Sequence, residues 1–322
     1  MTTVYKGGIG MVRRFRFGFA AMAVMLAMAL LVTVNGGGGS SVSAQVSIDC
    51  AEFPMPSAAA TDEAATPAAA DATDEAAVEF PADGGEITVF AAASLTAAFE
   101  QMASDITAAN PDVSITFNFA GSQALVTQLT EGAEADVFAS ANLSQMNAAL
   151  EAGLVVDDGD VFAQNQLVII VPADNPAGIT TAADLDNEGV EFVTALQDVP
   201  IGQYTRQSVC AMGEDTDNFG DAFVDGFAGN IVSEEENVTA IVTKISLGEA
   251  DAGIVYETDV TADVAESVVV IPIEPQFNIY AEYPIALVEG GSAELGAAFI
   301  GYVLGPDGQA TLEDFGFLPS PE

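Results

Sequence analysis

Two serines stand where a β-prone run passes directly into a helical one. Ser94 follows Ile87-Thr88-Val89-Phe90-Ala91-Ala92-Ala93, and Ser122 follows Phe119-Ala120-Gly121. A serine at such a junction is expected as a helix N-cap. It sets a hydroxyl beside free backbone N–H groups and the positive end of the helix dipole, a combination that suits an anion. Two more helix starts, Val199-Pro200-Ile201-Gly202 before Gln203 and Glu236-Asn237-Val238 before Thr239, offer backbone donors alone. Singly each is an ordinary helix end, because every helix has one. Tyr256 closes the apolar run Ala252-Gly253-Ile254-Val255 and either packs in a core or presents its phenol.

What the chain lacks narrows the chemistry. It contains no histidine, which excludes Ser–His–Asp and Cys–His nucleophile systems and His-ligated zinc or iron. Cys50 and Cys210 are too few for a four-thiolate metal site, and whether they pair stays open. Asp215-Thr216-Asp217-Asn218-Phe219-Gly220 begins like a calcium loop, but Phe219 fills a ligand position and Gly226 stands where the bidentate Glu belongs. No Walker loop and no dinucleotide glycine fingerprint is present. The missing histidine nearly closes an exported hydrolase as well, leaving it only a carboxylate pair.

The charge distribution organises the chain. Lys and Arg total six against 48 Asp and Glu. Four of the six, Lys6, Arg13, Arg14 and Arg16, precede an apolar run from Phe17 to Val34, after which comes Val42-Ser43-Ala44. This reads as an export signal over residues 1–44, with a retained membrane anchor as the alternative. Its removal leaves Arg206 and Lys244 against every acidic residue, a formal charge of −46. Such a body repels nucleic acid and anionic membranes. Arg206 and Lys244 are expected in surface salt bridges, and Glu234-Glu235-Glu236 as acidic residues favouring the helix start at Val238. Residues 45–85, with Ala60-Thr61-Asp62-Glu63-Ala64-Ala65 recurring from Ala72, read as a flexible acidic, alanine-rich linker.

From Glu86 onward strands and helices alternate. Leu95, Phe99, Met102 and Ile106 mark a helix stopped by Asn110-Pro111, and Val113, Ile115, Phe117 and Phe119 alternate as a strand. Helices follow Ser122 and Asn142, with a short strand at 136–140 between them. Gln166–Val171 is nearly continuous and apolar, the pattern of a parallel sheet covered on both faces. Strands over 190–196, 252–256 and 268–271 and helices near 203–212, 218–227, 237–247, 293–304 and 308–315 complete an α/β fold.

The segments Ile87–Leu95, Phe119–Ser122, Ala135–Ala141, Val199–Tyr204, Ala252–Tyr256 and Tyr283–Val288 occur in this order. Together they resemble the periplasmic molybdate-binding proteins of ABC uptake systems, over about 86–317. The resemblance implies the two-lobed type II periplasmic-binding fold, each lobe a mainly parallel sheet flanked by helices. Lobe 1 would comprise 86–168 and 281–322, and lobe 2 would comprise 169–280. It implies an exported monomer without cofactor or covalent chemistry, capturing molybdate or tungstate for a membrane permease. Ser94 and Ser122 would donate hydroxyl and backbone N–H bonds, Ile201 and Val238 backbone N–H bonds, and Tyr256 its phenol, with no cation site. Ile201 replaces a small residue and Gly121 a frequent serine. Sulfate or another tetrahedral oxyanion, or a sensor domain of the same fold, are the alternatives.

Self-repulsion in so acidic a body is relieved by screening, which suits a salty habitat. The unfolding temperature should therefore climb with added sodium chloride; a flat response across ionic strength would contradict this reading of the charge.

Overall fold

The computed structural model describes residues 46–54 and 79–320. The expected export signal, and the linker between 55 and 78, lie outside the described residues. In chain order the elements are β1 (Gly85–Ala92), α1 (Thr96–Ala109), β2 (Val113–Ala120), α2 (Ser122–Thr130), β3 (Val137–Ala139), α3 (Leu143–Glu151), β4 (Asp160–Asn165) and β5 (Leu167–Pro172). Then follow β6 (Phe192–Ala195), α4 (Pro200–Glu214), α5 (Asp221–Asn230), β7 (Ile231–Glu235), α6 (Val238–Ser246), β8 (Ala252–Tyr256) and β9 (Val268–Pro272). β10 (Ala281–Leu287), α7 (Ala293–Leu304) and α8 (Pro306–Asp314) close the chain.

The strands form two five-stranded sheets, in the orders β2-β1-β3-β10-β4 and β7-β6-β8-β5-β9. Each belongs to one lobe. The chain passes from the first to the second at Gln166 and returns between Pro272 and Ala281. The α/β class and the two-lobed architecture stand, but the expected mainly parallel sheets are corrected to mixed ones. β1 pairs parallel with β2 and β3, and β6 with β7 and β8, whereas β10 and β5 run antiparallel to both of their neighbours. All six residues of β5 are buried. Its apolar run thus reports two covered faces and says nothing of strand direction. At the crossing, Asn278 accepts from the Leu167 N–H and donates to the Leu167 carbonyl, both at 2.9 Å.

Aromatic clusters fill each lobe. In the first, Phe99 packs against Phe117, Phe162 and Phe299 at centroid distances of 6.1, 5.9 and 5.6 Å. In the second, Phe192 meets Phe227 at 4.6 Å and Phe219 meets Phe277 at 5.3 Å. A tyrosine layer joins them: Tyr256 of the second lobe stands edge-on to Tyr283 of the first at 5.9 Å, with Tyr204 6.4 Å from Tyr256. Rings in such offset and edge-on pairs add to what their buried area contributes.

Residues 46–54 do not behave as the expected flexible tether. Cys50 is joined to Cys210 on α4 by a disulfide. Phe53 is buried, with the Arg206 guanidinium carbon 5.9 Å from its ring centre, and the Pro54 carbonyl accepts from Gln207 at 3.3 Å. Alanine-rich composition describes the neighbouring sequence, not these nine residues, which carry the bulky anchors. The disulfide closes a loop across 160 positions. The double variant Cys50→Ser/Cys210→Ser should lose about 3–5 kcal/mol of unfolding free energy. Denaturation with unchanged stability would show that this bridge constrains little.

Candidate functional site

Both lobes direct strand ends and helix starts at one small cavity. Ala92–Ser94, Ala120–Ser122 and Ala141 line it from the first lobe, and Val199–Ile201, Asn237, Val238 and Tyr256 from the second. All five residues singled out from the sequence are among them. The cavity is small, with a volume of about 20 Å³. That is room for a small ion and not for a sugar or a peptide.

The local geometry departs from simple capping. Ser94 sits in a 3-10 turn, Ala93–Leu95, inserted between β1 and α1, and the residue capping α1 is Leu95. The expected N-cap role is therefore corrected. The extra turn frees the Ser94 hydroxyl, which shares a hydrogen bond with the Tyr283 hydroxyl at 3.1 Å. Ser122 is likewise the first residue of α2, and Gly121 holds the cap position. The buried Ser122 Oγ accepts from the Ala141 N–H at 3.0 Å, so its own proton remains to be given.

In the second lobe the donors are backbone. Pro200 opens α4 and has no N–H, so Ile201 carries the first available amide of that helix. Its side chain belongs to the apolar core, which leaves the main chain to act. A Cβ on Gly202 would lie 2.1 Å from the Leu196 carbonyl oxygen, so only glycine lets this turn press onto the end of β6. Val238 opens α6, where the first-turn amides lack intrahelical acceptors. Asn237 caps that helix by accepting from the Ala240 N–H at 3.0 Å, leaving the Val238 amide unclaimed by the cap. Tyr256 is 1% exposed, and its buried hydroxyl, beside that of Tyr283, meets no partner in hydrogen-bond geometry among the described residues. Burial first, then neighbouring Tyr283, Tyr204 and Asp259, push the phenol well above its usual range, so it stays a neutral donor.

Among the described residues no charged side chain lines the cavity. Arg206 is not on the surface, as expected from sequence, but 3% exposed. It donates to the Ala195 and Gly202 carbonyls at 2.9 and 2.7 Å and pairs with Glu234. Lys244 pairs with Glu235. Glu234 and Glu235 lie on β7 and serve as counter-ions, which corrects their reading as residues favouring the α6 start. Arg206 was the harder residue to place, because burial of an arginine depends on a partner 28 positions away.

Sequence reasoning missed the residues that orient the serines. Tyr283 and Ala141 both lie in segments conspicuous for other reasons, but neither Ser94–Tyr283, 189 positions apart, nor Ser122–Ala141 is a local pairing. Asp259 was also missed. The residue is partly exposed, yet its carboxyl is enclosed beside the tyrosines, and burial pushes it up to about 7 against the lowering effect of the Tyr256 N–H that it accepts at 3.1 Å.

A carboxyl raised above its ordinary value of 3.8 is easier to keep protonated in the fold, so its contribution to stability is lost as pH rises from about 4 to about 7. Asp259→Asn keeps an acceptor for the Tyr256 amide without ionising. Its stability relative to wild type should increase over that interval and then level off; an offset independent of pH would remove Asp259 from the titration.

The matches to known proteins follow this architecture. The family described as bacterial extracellular solute-binding protein matches residues 87–318. The molybdate-binding protein ModA of Mycobacterium tuberculosis is 39% identical over 232 residues, covering 72% of this chain and 84% of that protein. ModA of Haemophilus influenzae is 30% identical over 248 residues, covering 73% and 91%. The periplasmic molybdate-binding protein of Azotobacter vinelandii shares the fold, with a TM-score of 0.62 at 16% identity over 73% of this chain and all of that one. Two mixed sheets with a shared cavity, and a family match spanning nearly the whole of both, lead to one conclusion: the chain belongs to the bacterial extracellular solute-binding proteins.

Proposed function

We propose that the protein captures molybdate or tungstate outside the cytoplasm and delivers it to the permease of an ABC transporter. Ser94 and Ser122 would hold the anion by hydroxyl and backbone N–H groups, Ile201 and Val238 by backbone N–H groups, and Tyr256 by its phenol. The observation that carries this reading is the buried Tyr256 hydroxyl, unpartnered among the described residues, on a cavity where those residues gather donors from both lobes and no carboxylate. A buried hydroxyl without a partner is costly, and a ligand acceptor removes that cost.

The chemistry of the lining favours one kind of anion. A fully deprotonated tetrahedral dianion offers acceptors only and matches a pocket rich in hydroxyl and amide donors. Hydrogen phosphate brings a proton that a carboxylate takes best, and none lines the cavity among the described residues. Hydrogen bonds to a charged group contribute roughly 1.5–3 kcal/mol each, so five to seven can offset desolvation with no full positive charge nearby. The family relationship supports export and a permease partner, and the disulfide agrees with an oxidising compartment. The protein performs no covalent step in this reading; binding draws the lobes together, and the permease reads the closed form.

Calorimetric titration with molybdate, tungstate, sulfate and phosphate tests it. The first two should bind tightly and phosphate should not, and Ser94→Ala/Ser122→Ala should weaken molybdate by about 3–6 kcal/mol. Equal affinity in the double variant would remove both serines from the site, and preference for sulfate would reassign the ligand.

A further inference from the structure

One contact between the lobes is built into the cavity wall itself. The Gln123 side chain, on α2 of the first lobe, donates from Nε2 to the carbonyl of Glu236 in the second lobe at 2.8 Å. Glu236 stands two residues before Val238, in the turn that presents the α6 amides to the cavity. Gly121, beside Gln123, is buried at this junction with φ −61° and ψ 138°, a conformation that any residue adopts. Glycine is therefore not there for backbone freedom. It is there for space: a Cβ would lie 2.5 Å from the Glu236 oxygen and 2.5 and 2.7 Å from the Gln123 amide atoms. The glutamine end could swing aside, but the Glu236 oxygen is main chain and moves only with its lobe.

We propose that Gly121 and Gln123 form the latch that seats the second lobe on the first and so sets the Val238 amide against the anion. The last step rests on the oxyanion reading; the latch itself rests on geometry alone. A side chain at 121 would hold Glu236 away, and loss of the Gln123 amide would leave the approach unsecured. Gln123 Oε1 is buried without a partner among the described residues, and its Nε2 makes the bond across the cleft. Asn142 donates to Gln203 and Gln145 to the Asp198 carbonyl, each at 3.0 Å, in the same direction from first lobe to second. Neutral amides can join two acidic lobes without adding charge.

The test uses the full folded chain carrying a fluorophore pair, one on each lobe, with interlobe distance and molybdate affinity measured together. Gly121→Ser should bind molybdate about tenfold more weakly despite its added hydroxyl, and should keep a longer interlobe distance at saturation. Gln123→Ala should weaken binding in the same direction, by about two- to tenfold. Unchanged closure and affinity in Gly121→Ser, or tighter binding, would overturn the latch. Should that variant not fold, Gln123→Ala decides alone by the same two readouts. If the wild type binds no molybdate, the site reading fails separately. The latch then stands or falls on whether Gln123→Ala lengthens the interlobe distance of the ligand-free protein.

Discussion

A dianion can be taken out of water only if something replaces its hydration, and this molecule has almost no positive charge with which to do so. Its chain holds 48 acidic residues against six basic ones. The two basic residues of the folded body are already committed, Arg206 to Glu234 and Lys244 to Glu235. In the proposed reading what remains is partial charge: hydroxyl protons and the first amides of helix starts. Those dipoles are fixed in place by the fold, so they need not be reorganised when the ligand arrives, and they act in a small buried space where screening is weak.

The surrounding structure follows from that need. Strand ends aim helix starts at one point from two lobes, which multiplies donors without adding cations. The 3-10 turn releases the Ser94 hydroxyl from capping, and the Ala141 amide leaves Ser122 with a proton to give. The tyrosine layer closes the back of the cavity and buries the Tyr256 hydroxyl without a partner of its own. Arg206 acts at one remove: it binds the carbonyls of Ala195 and Gly202 and thereby braces the turn carrying Ile201, while Phe53 and the disulfide hold the same helix from outside. The pair Arg206–Glu234 is buried on the arginine side, so its role is to fix geometry more than to add net stability.

Much of this was legible in the chain because it is local. Ser94, Ser122, Ile201, Val238 and Tyr256 each sit where a period-2 run changes into a period-3.6 run, or where an apolar strand ends, and all five line the cavity. The helices capped by Asn142 and Asn237 were visible for the same reason. What was not legible depends on pairings distant in sequence. Burial of β5 showed in its composition, but its antiparallel neighbours β8 and β9 did not, since both directions bury an apolar strand equally. Composition placed 46–54 in a tether, whereas one cysteine and one phenylalanine dock it on α4. The Gln123–Glu236 contact spans 113 positions, and a Cβ at residue 121 would lie 2.5 Å from the same Glu236 oxygen.

The central claim is that neutral dipoles from both lobes, and no cation, hold a doubly negative guest. A crystal structure of the molybdate complex, with the metal located by anomalous scattering, tests it most directly. The account predicts a closed cleft with the oxyanion within hydrogen-bonding distance of the hydroxyls of Ser94, Ser122 and Tyr256 and of the Ile201 and Val238 amides, Arg206 still paired with Glu234. Metal density elsewhere, a bound cation beside the anion, or Arg206 swung into the cavity would contradict it.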